Sequence, residues 1–240
     1  MHDVPERTVI ACERAVIGID AEALGYRDHH HADIAANWAD ATLANPALFN
    51  GAFFMAEHAE LADGIFRARY HRADFATMMH WKRHDTTEKP WHVFAVGVIV
   101  SSDNKLIAGR MSASTSAAGR IYFPAGSFDD EDVVDHRIDI DGNMHREVME
   151  ETGLDLARAS RRDNGLHLVS ANRSIALFRR FFFDLPANRI ISDICDHIAS
   201  EAVPELDGVV AVSTAGQLDE STPEIFHIFT RWHFGDASPS

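Results

Sequence analysis

Three glutamates, Glu147, Glu150 and Glu151, sit in the stretch HREVMEETGL at 145–154. On a helix, spacings of three and four put all three carboxylates on one face, about 5–6 Å apart at Cβ. Like charges so placed cost an isolated helix roughly 0.2–0.5 kcal/mol per pair. A solvated acidic face is one reading, and a cation that offsets the repulsion is the other. Carboxylate oxygens are hard donors, which suit Mg²⁺ or Mn²⁺ and do not suit zinc.

The neighbouring residues favour the cation. Arg146, Glu147, Val148, Glu150, Glu151, Gly153 and Leu154 resemble the second half of the Nudix box, G-x5-E-x7-R-E-U-x-E-E-x-G-U, with U a bulky aliphatic residue. FPAG at 123–126 is similar to the strand and turn that open the box, with Gly126 as its first glycine. The x5 spacing from Gly126 lands on Asp132, where the family has Glu. The next spacer, Val133 to His145, holds 13 residues where the family has 7. The box thus carries a six-residue insertion, placed ahead of the helix so that the spacing of the glutamates is untouched.

The resemblance implies a Nudix α/β/α sandwich with a mixed sheet, and a hydrolase that uses Mg²⁺ or Mn²⁺ to cleave a nucleoside diphosphate linked to another group. It makes Glu147 and Glu151 principal metal ligands, Glu150 a third, and the Ala125 carbonyl an additional one. Arg146 becomes the partner that orients the glutamates. The general base is Glu147 in some members and a later acidic residue in others, where Glu201 and Glu205 are the candidates here. A UDP-sugar, ADP-ribose, a dinucleotide and coenzyme A all fit the substrate class. LIAGRMSASTSAAGRIYFPAG at 106–126 is loosely similar to the stretch before the box in coenzyme A pyrophosphatases. A catalytically silent Nudix-fold nucleotide sensor is the alternative, against which the intact glutamates argue.

Other residues invite chemistry less strongly. Arg110 and Arg120 flank the small-residue loop MSASTSAAG and are candidates for binding phosphate oxygens as bidentate partners. The run His29-His30-His31 suggests a metal, but consecutive histidines on a helix diverge and no spaced carboxylate partner stands out. Trp38, Trp81, Trp91 and Phe181 to Phe183 read as core.

The elements that must position the glutamates follow from period and punctuation. Asp139 or Asp141 is expected to cap a helix through Met144, Val148 and Thr152, with Gly153 at its left-handed end. Ahead of it, 91–110 reads as a hairpin about Ser102-Asp103-Asn104, and 120–126 as a strand. After it come a strand at 175–185, an amphipathic helix at 189–202, a strand at 207–213 and a helix at 222–234. The first half reads as one or two strands at 7–20, a helix at 29–51 closed by Asn45-Pro46, two strands within 52–72, and a short helix at 73–84 capped by Asp74. Strands and helices interleave without regular βαβ spacing, so the class is α+β.

DTTEKP at 85–90 is the candidate boundary between an N-terminal α+β extension, 1–88, and a Nudix domain, 89–236. The extension vaguely resembles that of Nudix proteins acting on UDP-sugars. In that family such extensions help form the substrate pocket or a homodimer interface.

The formal charge of −15, from 37 acidic and 22 basic residues, repels polymeric nucleic acid and anionic membrane. A small polyanion can still bind if divalent cations accompany it. The two cysteines, Cys12 and Cys195, form no framework, and no apolar run approaches the ~20 residues of a membrane span. The expectation is a cytoplasmic protein with a small-molecule nucleotide substrate.

Overall fold

The computed structural model describes residues 4–84, 89–115 and 117–235. The candidate boundary at 85–90 therefore lies mostly outside the described residues. Two short strands open the chain, β1 (Ile10–Cys12) and β2 (Arg14–Ile19), followed by helices α1 (Gly25–His29) and α2 (His31–Ala44). The long hairpin β3 (Ala52–Ala62) and β4 (Ile65–Asp74) leads into α3 (Phe75–Arg83), whose first turn is capped by the Asp74 carboxylate accepting from the Thr77 amide.

The second half begins with β5 (His92–Val100) and β6 (Leu106–Met111). The strand expected at 120–126 is two pieces, β7 (Ile121–Tyr122) on β6 and β8 (Ala125–Ser127) on β5. Pro124 lies between them and has no amide to give to a ladder. The acidic stretch holds a one-turn 3-10 helix, Asp130–Asp132, and a tight hairpin, β9 (Val133–Val134) and β10 (Arg137–Ile138). Helix α4 (Ile140–Thr152) follows directly. The remainder runs β11 (Arg161–Arg162), β12 (Leu166–Ala171), β13 (Ser174–Phe182), α5 (Ala187–Ser200), β14 (Leu206–Val212) and α6 (Glu224–Phe234).

Two mixed sheets result, in an α+β arrangement. The larger has the order β1-β12-β13-β5-β6-β14, with β11, β7 and β8 attached to β13, β6 and β5. Only its central pair, β13 and β5, is parallel. Strand β5 shows why two helical layers cover it. Val93, Ala95 and Ile99 face one core together with Met144 and Val148 of α4 and Ile190 and Ile194 of α5. Val96, Val98 and Val100 face the other, with Phe226 and Phe229 of α6. This period-2 split of an apolar strand is the signature of a sheet buried on both faces.

The smaller sheet has the order β3-β4-β2-β10-β9. Its Ile17, Phe54, Phe66 and Tyr70 belong to the same core as α4, and the buried Tyr70 hydroxyl donates to the Val93 carbonyl at 2.8 Å. The two sides of residue 88 also exchange strands. β1 joins the large sheet through β12, and β10 joins the small sheet through β2, pairing Arg137 with Gly18.

Candidate functional site

Helix α4 carries the three glutamates, and its ends are fixed as capping chemistry requires. Asp139 is the N-cap, its carboxylate accepting from the Gly142 amide at 2.9 Å. Gly153 closes the helix at φ 69°, where a side chain would be strained. A Cβ there would also stand 2.7 Å from the His197 ring. α5 thus lies directly against the end of α4, and His197 Nε2 is 3.0 Å from the Glu150 carbonyl oxygen.

Glu147, Glu150 and Glu151 line one cavity of about 200 Å³, together with His197, Glu201 and Glu205. Strand β8 lies close to Glu147. A Cβ on Gly126 would stand 2.2 Å from the Glu147 carboxyl carbon, so only glycine lets β8 approach the helix this tightly. The Ala125 amide donates to Glu151 Oε1 at 3.2 Å. The structure therefore brings together Glu147, Glu150, Glu151 and Ala125, and adds both later glutamates.

Arg146 serves three carboxylates: Asp132 at 3.0 Å, Glu147 at 2.9 Å and Glu150 at 3.4 Å. Burial works against its charge, but these partners outweigh burial and raise its pKa. Asp132 is buried, and it also accepts from the Asn143 side chain and the Asp129 amide, both at 3.0 Å. It thereby ties Arg146 to the 3-10 turn ahead of α4.

One arginine does not neutralise the cluster. Burial pushes the Glu147 carboxyl up to about 7, against the pull of Arg146 and with the added repulsion of Glu150, Asp132 and Glu205. Burial likewise raises Glu151 well above the usual carboxylate range, opposed by the Ala125 amide and reinforced by Glu205, Glu147 and Glu150. Carboxyls so crowded give up their protons most readily to a bound cation, and oxygen-only donors select a hard one.

Arg110 and Arg120 are both exposed, on β6 and just before β7, and neither lines this cavity. His197 is a neighbour of the cavity that sequence spacing did not reveal, since α5 reaches α4 only through the fold. A second, larger groove of about 880 Å³ runs over the small sheet, past Gly18, Glu57, Arg67 and Arg69.

No protein-family model matches the chain, and no curated protein matches it. Among solved structures it is similar to a MutT protein from Methanosarcina mazei Go1, at 18% identity over 62% of this chain and 96% of that one, with a TM-score of 0.40. It is similar to a NUDIX hydrolase from Nitrosomonas europaea, at 18% identity over 62% and 93%, with a TM-score of 0.36. These neighbours are Nudix proteins. A third is a bifunctional NMN adenylyltransferase/ADP ribose pyrophosphatase from Francisella tularensis, complexed with AMP and a Mn ion. There the identity is 17%, the overlap 65% of this chain and 44% of that one, and the TM-score 0.39. These overlaps are partial, and the chemistry of the site rests on its own residues. Among the described residues no helix is long and apolar enough to cross a membrane.

Proposed function

We propose that this chain is a Nudix pyrophosphohydrolase. It takes a nucleoside diphosphate joined to another group and, with water and Mg²⁺ or Mn²⁺, releases a nucleoside monophosphate and a phosphorylated remainder. The observation that carries this reading is the convergence of Glu147, Glu150 and Glu151 on one cavity beside Ala125 and Glu205, with a single arginine to balance them.

Glu147 and Glu151 would hold the metal, with Glu150 and the Ala125 carbonyl completing its oxygen shell. Held there, such an ion would neutralise the diphosphate, polarise the attacked phosphorus and acidify water. Arg146, anchored on Asp132, keeps the Glu147 and Glu150 carboxylates turned toward the cavity. One water oxygen bonds to phosphorus, the bridging P–O bond breaks, and the water proton passes to a cavity carboxylate. Glu205 fits the proton-accepting role better than Glu201, because its charge is felt by both Glu147 and Glu151.

The cavity is below the ~300 Å³ at which pockets for whole organic ligands begin. It suits the metal and the phosphates, and the nucleoside and its partner group would lie outside it. UDP-sugar, ADP-ribose, dinucleotide and coenzyme A types all present the same diphosphate, and Arg110 and Arg120 are kept as candidate contacts for its outer oxygens. The reading includes a cytoplasmic setting, no polymeric nucleic acid or membrane partner, and a homodimer as one role for residues 1–88. Domain bounds of 1–88 and 89–236 belong to the same proposal.

Separation of products by ion-exchange chromatography after incubation of each substrate type with Mg²⁺, Mn²⁺ or chelator tests it. A nucleoside monophosphate formed from one type, only with metal, supports the reading. Intact substrate in every incubation that contains folded protein and metal overturns it.

A further inference from the structure

The helices of the first half enclose an imidazole nitrogen that has no hydrogen-bond partner among the described residues. His80, on α3, is 1% exposed, and its buried Nε2 has no hydrogen-bond partner among the described residues. Its other nitrogen, Nδ1, lies 2.9 Å from the Tyr26 hydroxyl of α1. A buried polar atom left unpaired is destabilising, and natural proteins seldom tolerate one without a reason.

His80 has company. One donor atom each from His30, Asp33 and His80 lies within 4.8 Å of the other two. His30 is the N-cap residue of α2, yet its side chain makes no capping hydrogen bond, so the ring is not committed to the helix. Asp33, in the first turn of α2, is exposed. We propose that His30, Asp33 and His80 form a binding site for a divalent transition-metal ion of the zinc or cobalt type, separate from the hard-cation site on α4.

The donor set decides the metal class. Two imidazole nitrogens and one carboxylate oxygen suit zinc, cobalt or nickel, whereas Mg²⁺ prefers oxygen alone. Three protein ligands with water in the fourth position are a common zinc arrangement. Bonds of about 2.0–2.1 Å place tetrahedral ligands ~3.3 Å apart. The half-buried His30 and exposed Asp33 can make up that difference by side-chain rotation.

His80 is the fixed member. The His84 ring stacks on it with centroids 3.9 Å apart, and Tyr26 holds Nδ1. With the Nδ1 proton donated to Tyr26, the Nε2 lone pair is free to bind, the outer-sphere arrangement usual for metal-bound histidine. A cation near a helix N-terminus meets an unfavourable dipole, which Asp33 in the same turn offsets. The ion would clip the start of α2 to α3.

Sequence reasoning set a metal at 29–31 aside because consecutive histidines diverge and no spaced carboxylate stood out. Divergence holds, since His31 Nδ1 turns to the Asp28 carbonyl oxygen at 3.2 Å. The carboxylate is Asp33, three residues after His30, and the remaining ligand comes from α3, beyond any local spacing.

Co²⁺ titration followed by visible absorption tests the site, in millimolar Mg²⁺ and with both wild type and Glu147→Gln/Glu151→Gln, so that the hard-cation site does not contribute. The expected result is ligand-field bands that saturate at one equivalent, vanish on adding Zn²⁺, and accompany a Zn²⁺-dependent rise in Tm. Asp33→Asn and His30→Gln, checked for folding by circular dichroism, should each weaken Co²⁺ binding at least ~10-fold. No bands in folded protein, or bands of unchanged affinity in both folded variants, would overturn the proposal.

Discussion

Asp132 Oδ1 stands 3.0 Å from Arg146 Nη2, joining the turn before the β9–β10 hairpin to the glutamate helix beyond it. The Asp132 side chain is almost wholly buried, while Arg146 is a quarter exposed. Removing one member of such a pair leaves the other charge poorly compensated, at a cost of about 2–3 kcal/mol once the exposure of Arg146 is allowed for. Asp132→Asn should therefore lower stability by about that amount in urea denaturation. It should also reduce kcat more than it raises KM, because the lost contact orients Glu147 and Glu150 without touching substrate. Unchanged kcat in a destabilised variant would separate the ion pair from the site.

Gly126 permits the contact between β8 and Glu147, with 2.2 Å between a would-be Cβ and the carboxyl carbon. Gly126→Ala must push Glu147 aside, because the β8 backbone is held in the ladder with β5. Metal affinity, read by calorimetry, should fall about tenfold or more. Wild-type affinity in this variant would mean that Glu147 is not held as a ligand against β8.

The pH dependence of stability should show the Glu147 carboxyl directly. Its folded pKa of about 7 lies above the unfolded value near 4.5. The folded state holds the proton through this window and the unfolded state does not, so raising the pH from 4.5 to 7 lowers stability. Wild type should lose up to about 3 kcal/mol relative to Glu147→Gln across that range without metal, and Mg²⁺ should abolish the difference. His92 acts in the opposite sense. Burial first, then Lys82, depresses it to about 3, so its contribution is complete above its unfolded pKa near 6.5 and is lost as the pH falls toward 3. Subtracting the variant's curve removes that background. A difference curve flat with pH would contradict the buried, crowded carboxyl.

Glu205→Gln is expected to lower kcat by about 10²–10⁴-fold, the range for loss of a positioned base. Glu201→Gln should cost less. Equal and small effects would return the proton-accepting role to Glu147.

Much of this arrangement was legible in the sequence because it rests on local chemistry. Gly153 announced one end of α4 and the choice of Asp139 or Asp141 the other, and the glutamate spacing announced its acidic face. The hairpin of β5 and β6 was marked by a turn between β-branched runs. What stayed hidden depends on long-range pairing. The six residues Val133 to Ile138 form β9 and β10, two residues each, about Asp135 and His136 at φ 48° and 61°. That turn lacks the Asn-Gly or Asp-Gly signal of a tight hairpin, and its docking on β2 has no local trace. β12 went unread for a related reason. Its burial alternates only over Leu166 to Leu168, its Asn172-Arg173 turn to β13 carries no glycine, and its pairing with β1 reaches back to the start of the chain. His197, and His80 as a partner of His30, belong to separate helices that only the packed core brings into register.

The central claim is that three carboxylates on α4 hold a catalytic cation, and Glu151 is the place to test it. Initial rates of nucleoside monophosphate release should be compared for wild type and Glu151→Gln at saturating Mg²⁺, with Tm recorded for both with and without the metal. The account predicts a loss of at least ~10²-fold, as expected when a metal's contribution of several kcal/mol is removed. It also predicts a Mg²⁺-dependent rise in Tm for wild type, and none for a variant that is itself no less stable than metal-free wild type. Equal turnover, or the same Mg²⁺ stabilisation in both proteins, would contradict it.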